Sequence, residues 1–350
     1  MADPAHEWTD EKLEELEKKI RKVYKQAAKE VSDKLDDYMR RFEIKDRIKQ
    51  DQVKRGVISE EDYKKWRYSQ IMVGKRWTAL RDSLAYDYHN ANLKARELAR
   101  SMQEEVYAEN INFATYSVEQ LSGVDTSFIL YDKDTVRRLL LDDPDLLPPP
   151  GKKVSERIAE GKDVRWNKQQ IQAVMLQAIL QGESIPKIAN RLANEVGEKN
   201  HKAAIRNART MTTGAECAGR IDGYRRAEQL GIDMEQEWRA TLDMRTRHEH
   251  RQLDGVKVKV GEPWKVDGYD IYFPGDPSAP GYLIYNCRCT VRALVVGLEP
   301  MARKYRSEKA IGDMTYDQWK ESKLEITNPI DLPEKKAEAI KRSYIKEYKK

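Results

Sequence analysis

The sequence predicts a mainly α-helical protein with a small C-terminal α+β module. Three observations carry this. Apolar residues recur at three- and four-residue steps over most of the first 230 positions, the period of an amphipathic helix. Between 232 and 298, turn formers and short β-prone runs take over, punctuated by Gly255, Gly261, Gly268, Pro274, Gly275 and Pro280. Charged residues make up 35% of the chain and aromatic residues only 8%, which suits long helices with narrow apolar stripes better than one large core.

Taken in order, Thr9 or Asp10 is placed to cap a first helix, with Asp10, Glu11 and Glu14 favoured in its first turn by the helix dipole. Its stripe runs Leu13, Leu16, Ile20, Val23, Ala27, Val31, Leu35, Met39 and Phe42. Gly56 breaks the pattern and Ser59 restarts it with a capping-box-like Ser-Glu-Glu-Asp. A second long helix carries Trp77, Leu80, Leu84, Tyr88, Ala91, Leu98, Met102 and Val106 towards Asn110. Such stripes serve either an antiparallel helix pair or docking on an oligomeric partner. Phe128 to Tyr131 reads as a short strand and Asp134 to Leu141 as a short helix. Pro148, Pro149 and Pro150 then enforce an extended linker. Helical spacing resumes near Asn167 and stops near Gly182, restarts at Ser184 and ends at Gly197. A longer helix follows from Asn200 to Leu230, closed by Gly231. Glu237–Leu242 and Thr290–Val296 are the expected flanking strands of the module. Met314 to Lys320 reads as a capped helix and Glu334 to Lys350 as a lysine-rich one. The resulting plan is a helical N-terminal docking region (1–141), a Pro-rich linker (142–165), a helical middle region (166–231), the α+β module (232–298) and a basic tail (299–350).

The formal net charge of +5 permits contact with nucleic acid without requiring it. Arg303, Lys304, Arg306, Lys309, Lys341, Arg342, Lys346, Lys349 and Lys350 are the candidate contacts to double-stranded DNA phosphates; a solubilising tail is the plainer reading. The first residues lack the apolar core of a secretory signal, and no apolar run is long enough to span a bilayer, so no membrane is expected. Three cysteines do not make a disulfide framework and suit a reducing compartment.

The module holds two of the three cysteines and two of the five histidines. Cys287 and Cys289, with His248 and His250, make a Cys2His2 set suited to tetrahedral zinc; residues two apart on strands would present each pair to one side. The alternative is a pair of packed thiols beside a hydrogen-bonded histidine. Asp243, Arg245 and Arg247 are expected to form a polar network tying the first strand to the Asn286 turn. An Asp243–His250 acid/base pair with Cys287 as nucleophile is conceivable, but no spacing supports it, and no phosphate-cradling or zinc-protease motif is present. The chain reads as a non-enzyme.

Four blocks give the module a resemblance: Asp243 with Arg245-Thr246-Arg247 and His250, Leu253-Asp254-Gly255, Phe273-Pro274-Gly275-Asp276-Pro277, and Asn286-Cys287-Arg288-Cys289. In order and spacing these resemble the C-terminal module of the Mu F-like phage head morphogenesis, or minor capsid, proteins. The module covers about a sixth of the chain. Looser similarity runs upstream through Tyr107–Asn112, Arg165–Lys168 and Asn207–Thr210. Only His250 sits at the family's histidine position. The resemblance adds Asp254, Asp276, Asn286 and Arg288 to the motif network. It implies a minor head protein of the virion, made in the host cytoplasm and lying inside the head. Its partners would be the portal, capsid or scaffold proteins and packaged DNA. A DNA-binding protein in its own right, or a metal- or thiol-dependent enzyme, are the alternatives.

Overall fold

The computed structural model describes residues 3–143, 161–297 and 314–327. It is mainly helical, with two small antiparallel sheets confined to the module. The helices are α1 (Pro4–Lys54), α2 (Glu60–Ile71), α3 (Lys75–Ser122), α4 (Lys133–Asp142), α5 (Lys162–Leu180), α6 (Ile185–Leu192) and α7 (Glu198–Gln229). The module follows as β1 (Met234–Arg239), α8 (His248–Leu253), β2 (Lys257–Lys259), β3 (Trp264–Val266), β4 (Tyr269–Ile271), α9 (Gly281–Ile284) and β5 (Thr290–Val295), and α10 (Tyr316–Thr327) comes last.

Helix α1 starts earlier than its sequence signals suggest. Asp3 is the N-cap, accepting from the His6 amide at 3.0 Å, with Pro4 in the first turn where its missing N–H costs nothing. Thr9 is not a cap; its hydroxyl donates to the Ala5 carbonyl and accepts from Asn110 of α3. Ser59 does cap α2, accepting from the Asp62 amide at 2.9 Å. A break at Gly74 separates α2 from α3. The Phe128–Tyr131 segment forms no strand. The side-chain amide of Asn112 takes the place of one, accepting from Tyr131 N at 2.8 Å and donating to Tyr131 O at 2.9 Å. Gly197 does not end a helix either. Residues Ala193–Gly197 form a π-helical turn that leads directly into α7, and Gly197 lies against the Tyr88 ring, where a Cβ would stand 3.1 Å from it. Thr315 and Gln318 cap α10 reciprocally.

The bundle is built on α1, α3 and α7. Helix α1 runs antiparallel to both others, as Tyr24–Asn92, Lys34–Asp87 and Glu17–Arg209 pairings show. Helices α3 and α7 run parallel, joined by Asn92–Asn200, Gln103–Met211 and Tyr107–Asp222 contacts. The stripe Leu16, Ile20, Ala27, Val31, Leu35 and Met39 is buried inside this bundle. It is therefore consumed within the chain and is not available for docking a partner. One continuous core contains residues from α1, α3, α5, α6 and α7, so the predicted linker joins two parts of one core; its residues 144–160 lie outside those described.

A second core joins the module to the same helices. Trp238, Trp264, Ile271, Leu283 and Val291 pack with Ala114 and Val118 of α3 and with Cys217, Ile221, Tyr224 and Ala227 of α7. The module's boundary at 232 is thus a boundary of secondary structure and not of packing. Strand β1 is central, pairing with β2 (Glu235 opposite Lys259) and with β5 (Met234 opposite Val295, Arg239 opposite Thr290). It ends at Arg239 and not near Leu242, because the residues after it turn back through Thr241 and Asp243. Among the described residues, no helix is long and apolar enough to cross a membrane.

Small residues let α3 and α7 approach closely. A Cβ at Gly219 would lie 2.6 Å from the Tyr107 carbonyl oxygen, and one at Gly223 would lie 2.6 Å from the Ala114 Cβ. Gly219→Ala should therefore force the helices apart at a cost of about 1–3 kcal/mol, more than the helix propensity gained. The denaturant midpoint reads this; a midpoint equal to or above that of the wild type would refute the close crossing.

Candidate functional site

The module's chemistry gathers where α8 meets the turn before β5. Cys287 and Cys289 precede β5, and His250 comes from α8. All three are buried. His250 Nδ1 lies 3.5 Å from Cys287 Sγ and 3.4 Å from Cys289 Sγ. Among the described residues this is where His, Cys, Asp or Glu ligand atoms converge within 4.8 Å. The thiols are fixed by their backbones. Thr213 of α7 donates to the Cys287 carbonyl at 2.7 Å, Thr241 donates to the Arg288 carbonyl at 2.7 Å, and Asn286 takes a left-handed φ of 55° to make the turn. The His250 ring stands edge-to-face to Trp238 at 5.2 Å. The hydrogen bond between the thiols holds Cys289 below the usual thiol range, against burial and with help from His250. The same hydrogen bond, with burial, drives Cys287 well above that range.

His248 does not join them. It opens α8, and residues two apart on a helix are turned about 200° from each other, whereas the sequence argument placed them on a strand. Its Nε2 instead lies 3.0 Å from Gln252.

The motif's polar residues form three local ties. Asp243 accepts from both terminal nitrogens of Arg288, at 2.7 and 2.8 Å, and from the Arg245 amide at 2.8 Å. Arg288, chiefly through its hydrogen bonds, holds the Asp243 carboxyl below the usual range. That engagement leaves Asp243 with Arg288 and not with His250. Arg247 donates to the Tyr285 carbonyl, while the Arg245 side chain is exposed, 3.7 Å from Asp243. Asp254 accepts from the Ala240 amide at 2.9 Å, pinning the end of β1. Asp276 sits apart and accepts from Tyr272 N and from Ser278 N and Oγ, which shapes the Phe273–Pro277 turn. That turn reaches α7, where a Cβ on Gly275 would stand 2.7 Å from Gly214 N. The candidate DNA contacts Arg303, Lys304, Arg306, Lys309, Lys341, Arg342, Lys346, Lys349 and Lys350 lie outside the described residues.

Sequence reasoning missed the group beneath the site. Arg220 of α7 is fully buried. Its Nε donates to Asn110 at 2.9 Å, and its terminal nitrogens reach Asp3 at 2.6 and 2.9 Å, the Val291 carbonyl at 3.2 Å and Glu216 at 3.3 Å. Glu216 also accepts from Thr290 of β5 at 2.6 Å and contacts His6 at 2.9 Å. The available signal was an acid and an arginine one turn apart in a run of Gly, Ala and Thr.

Residues 169–292 match the family model described as Phage Mu protein F like protein. The match runs from within α5 through α6, α7 and the module as far as Arg292 in β5; Ala114 and Val118, the α3 members of the second core, lie outside it. The chain is also similar to Minor head protein GP7 of Bacillus phage SPP1, 26% identical over 325 residues covering 90% of this chain and 95% of that one. Residues 169–292 of the chain are thus Mu F-like. It is 31% identical over 205 residues to NAD(+)--arginine ADP-ribosyltransferase EFV of Enterococcus faecalis, covering 58% of this chain but only 40% of that protein. No solved structure matches. The upstream similarities fall on bundle contacts: Asn167 accepts from Asn200 at 2.9 Å, and Arg209 pairs with Glu17.

The buried polar group gives a pH dependence. Burial would lower the His6 imidazole, but the charge and hydrogen bond of Glu216 outweigh it, with Asp10 adding, and push it up to about 9. A folded value above the unfolded one of about 6.5 stabilises fully below that value and loses the stabilisation as pH rises through about 9. His6→Asn should therefore lower Tm most near pH 6, with the difference from wild type shrinking by about pH 9.5. A difference independent of pH would exclude a charged His6–Glu216 pair.

Proposed function

We propose that this Mu F-like chain is a minor head protein acting structurally in head morphogenesis, attached to the portal and reaching other capsid or scaffold components and packaged DNA. Assembly in the host cytoplasm and residence inside the head are parts of the same reading. The observation that carries it is the near end-to-end similarity to a minor head protein, 90% of this chain against 95% of the other. A non-catalytic role is supported by the engagement of Asp243 with Arg288 and the burial of His250, Cys287 and Cys289. The ADP-ribosyltransferase similarity leaves three-fifths of that protein uncovered, so its activity is not transferred here.

With the α1 stripe buried, portal docking is assigned to apolar residues left exposed at the far end of α1 and the turn after it: Ile44 and Ile48, one helical turn apart, and Val57. Co-expression with the portal of the same phage tests it. The wild-type chain should co-purify with the portal, and Ile44→Asp with Ile48→Asp should reduce this at least tenfold with Tm unchanged. Undiminished co-purification of the double variant would move the contact elsewhere, and no co-purification of the wild type would remove the portal from the proposal.

DNA contact is assigned to the basic residues beyond 298. Binding should be independent of sequence and weaken steeply with salt, and Lys346→Glu with Lys349→Glu and Lys350→Glu should flatten the salt dependence. An unchanged salt slope in a filter-binding titration would leave the tail as a solubilising segment.

A further inference from the structure

We propose that His250, Cys287 and Cys289 hold a zinc ion through Nδ1 and the two sulfurs. The inference does not depend on the portal reading. Zinc bonds of about 2.3 Å to sulfur and 2.0–2.1 Å to nitrogen at a tetrahedral angle set sulfur and nitrogen about 3.6 Å apart. Here the two separations are 3.5 and 3.4 Å, so the side chains already lie near the edges of such a tetrahedron. Hydrogen bonding explains the arrangement less well. A ring nitrogen has one in-plane direction, yet Nδ1 lies within reach of both sulfurs, so only one of them can be well aligned with it. A metal between the three atoms satisfies all of them at once.

Charge points the same way. Binding displaces the thiol protons to solvent, and two thiolates balance a divalent cation, so the occupied site is neutral where all three side chains are buried. A neutral imidazole coordinating through Nδ1 keeps its proton on Nε2. That nitrogen is itself buried without a hydrogen-bond partner among the described residues. Among the described residues three ligands converge: His248 is turned away, and the third cysteine, Cys217, directs its thiol to the Cys289 carbonyl at 3.9 Å. The fourth position is left to water. Such a site joins α8 to the start of β5, where the turns are otherwise held by side-chain ties.

The full-length chain, purified under reducing conditions from zinc-supplemented cells, should contain about one zinc per chain by elemental analysis. X-ray absorption should show two sulfur neighbours at about 2.3 Å and lighter atoms at about 2.0–2.1 Å. His250→Ala and Cys289→Ser should each lower zinc content at least tenfold, whereas Cys217→Ser and His248→Ala should retain it. If the ligand variants fail to fold, the wild-type chain alone decides. A chain that is metal-free as purified and, once reduced, takes up neither zinc nor cobalt(II) from stoichiometric solution overturns the proposal. So does bound zinc with fewer than two sulfur neighbours.

Discussion

The fold turns on one buried cation. A guanidinium without partners deep in a protein would be strongly destabilising, so Arg220 can sit where it does only if its donors are all met. They are met from four directions: the N-terminal cap Asp3, Asn110 on α3, Glu216 on its own helix and the Val291 carbonyl of β5. The start of the chain, the middle of the bundle and the last strand of the module must therefore assemble together. Glu216 extends the group to His6 and Thr290, so the same charge balance sets the place of β5 that follows Cys289. Burial of this kind gives little net stability but a strict requirement for one arrangement.

Helix α7 makes that requirement geometric. From Ala208 to Tyr224 it is buried almost continuously, with one face against α1 and α3 and another beneath the module. A helix covered all round cannot show a simple amphipathic stripe, and this one has small residues instead. Gly219 and Gly223 admit α3; Gly214 admits the Gly275 turn; Thr210 and Thr213 tie the Asn286–Cys287 turn. The module therefore rests on a surface made by a helix of the bundle.

Most of the helices and the mainly α class were legible, because period and caps such as Ser59 act locally. What was not legible depended on partners distant in sequence. The α1 stripe could be read as buried, but not whether its cover came from this chain. The His-x-His spacing fits one face of a strand, whereas the six-residue helix α8 turns His248 away from His250. Gly197 reads as a stop unless the Tyr88 ring is known to occupy the space beside it. The motif residues near Asn286 stood out, whereas Arg220 and Glu216 did not, since their meaning appears only when Asp3 and Val291 arrive from opposite ends of the chain. Residues 144–160, 298–313 and 328–350 lie outside the described structure, and the linker and tail readings rest on composition.

The shared use of α7 has a consequence for how such chains exchange parts. A recombination joint placed between Gln229 and Met234, where helix gives way to strand, looks harmless in the sequence. It would nevertheless set a foreign sheet on a helix surface cut to fit another: a glycine-to-glycine contact at Gly214 and Gly275, a hydroxyl waiting for one particular carbonyl at Thr213, a guanidinium short of the Val291 oxygen. A joint at that point divides one packed unit, because α7 supplies the surface on which the sheet rests.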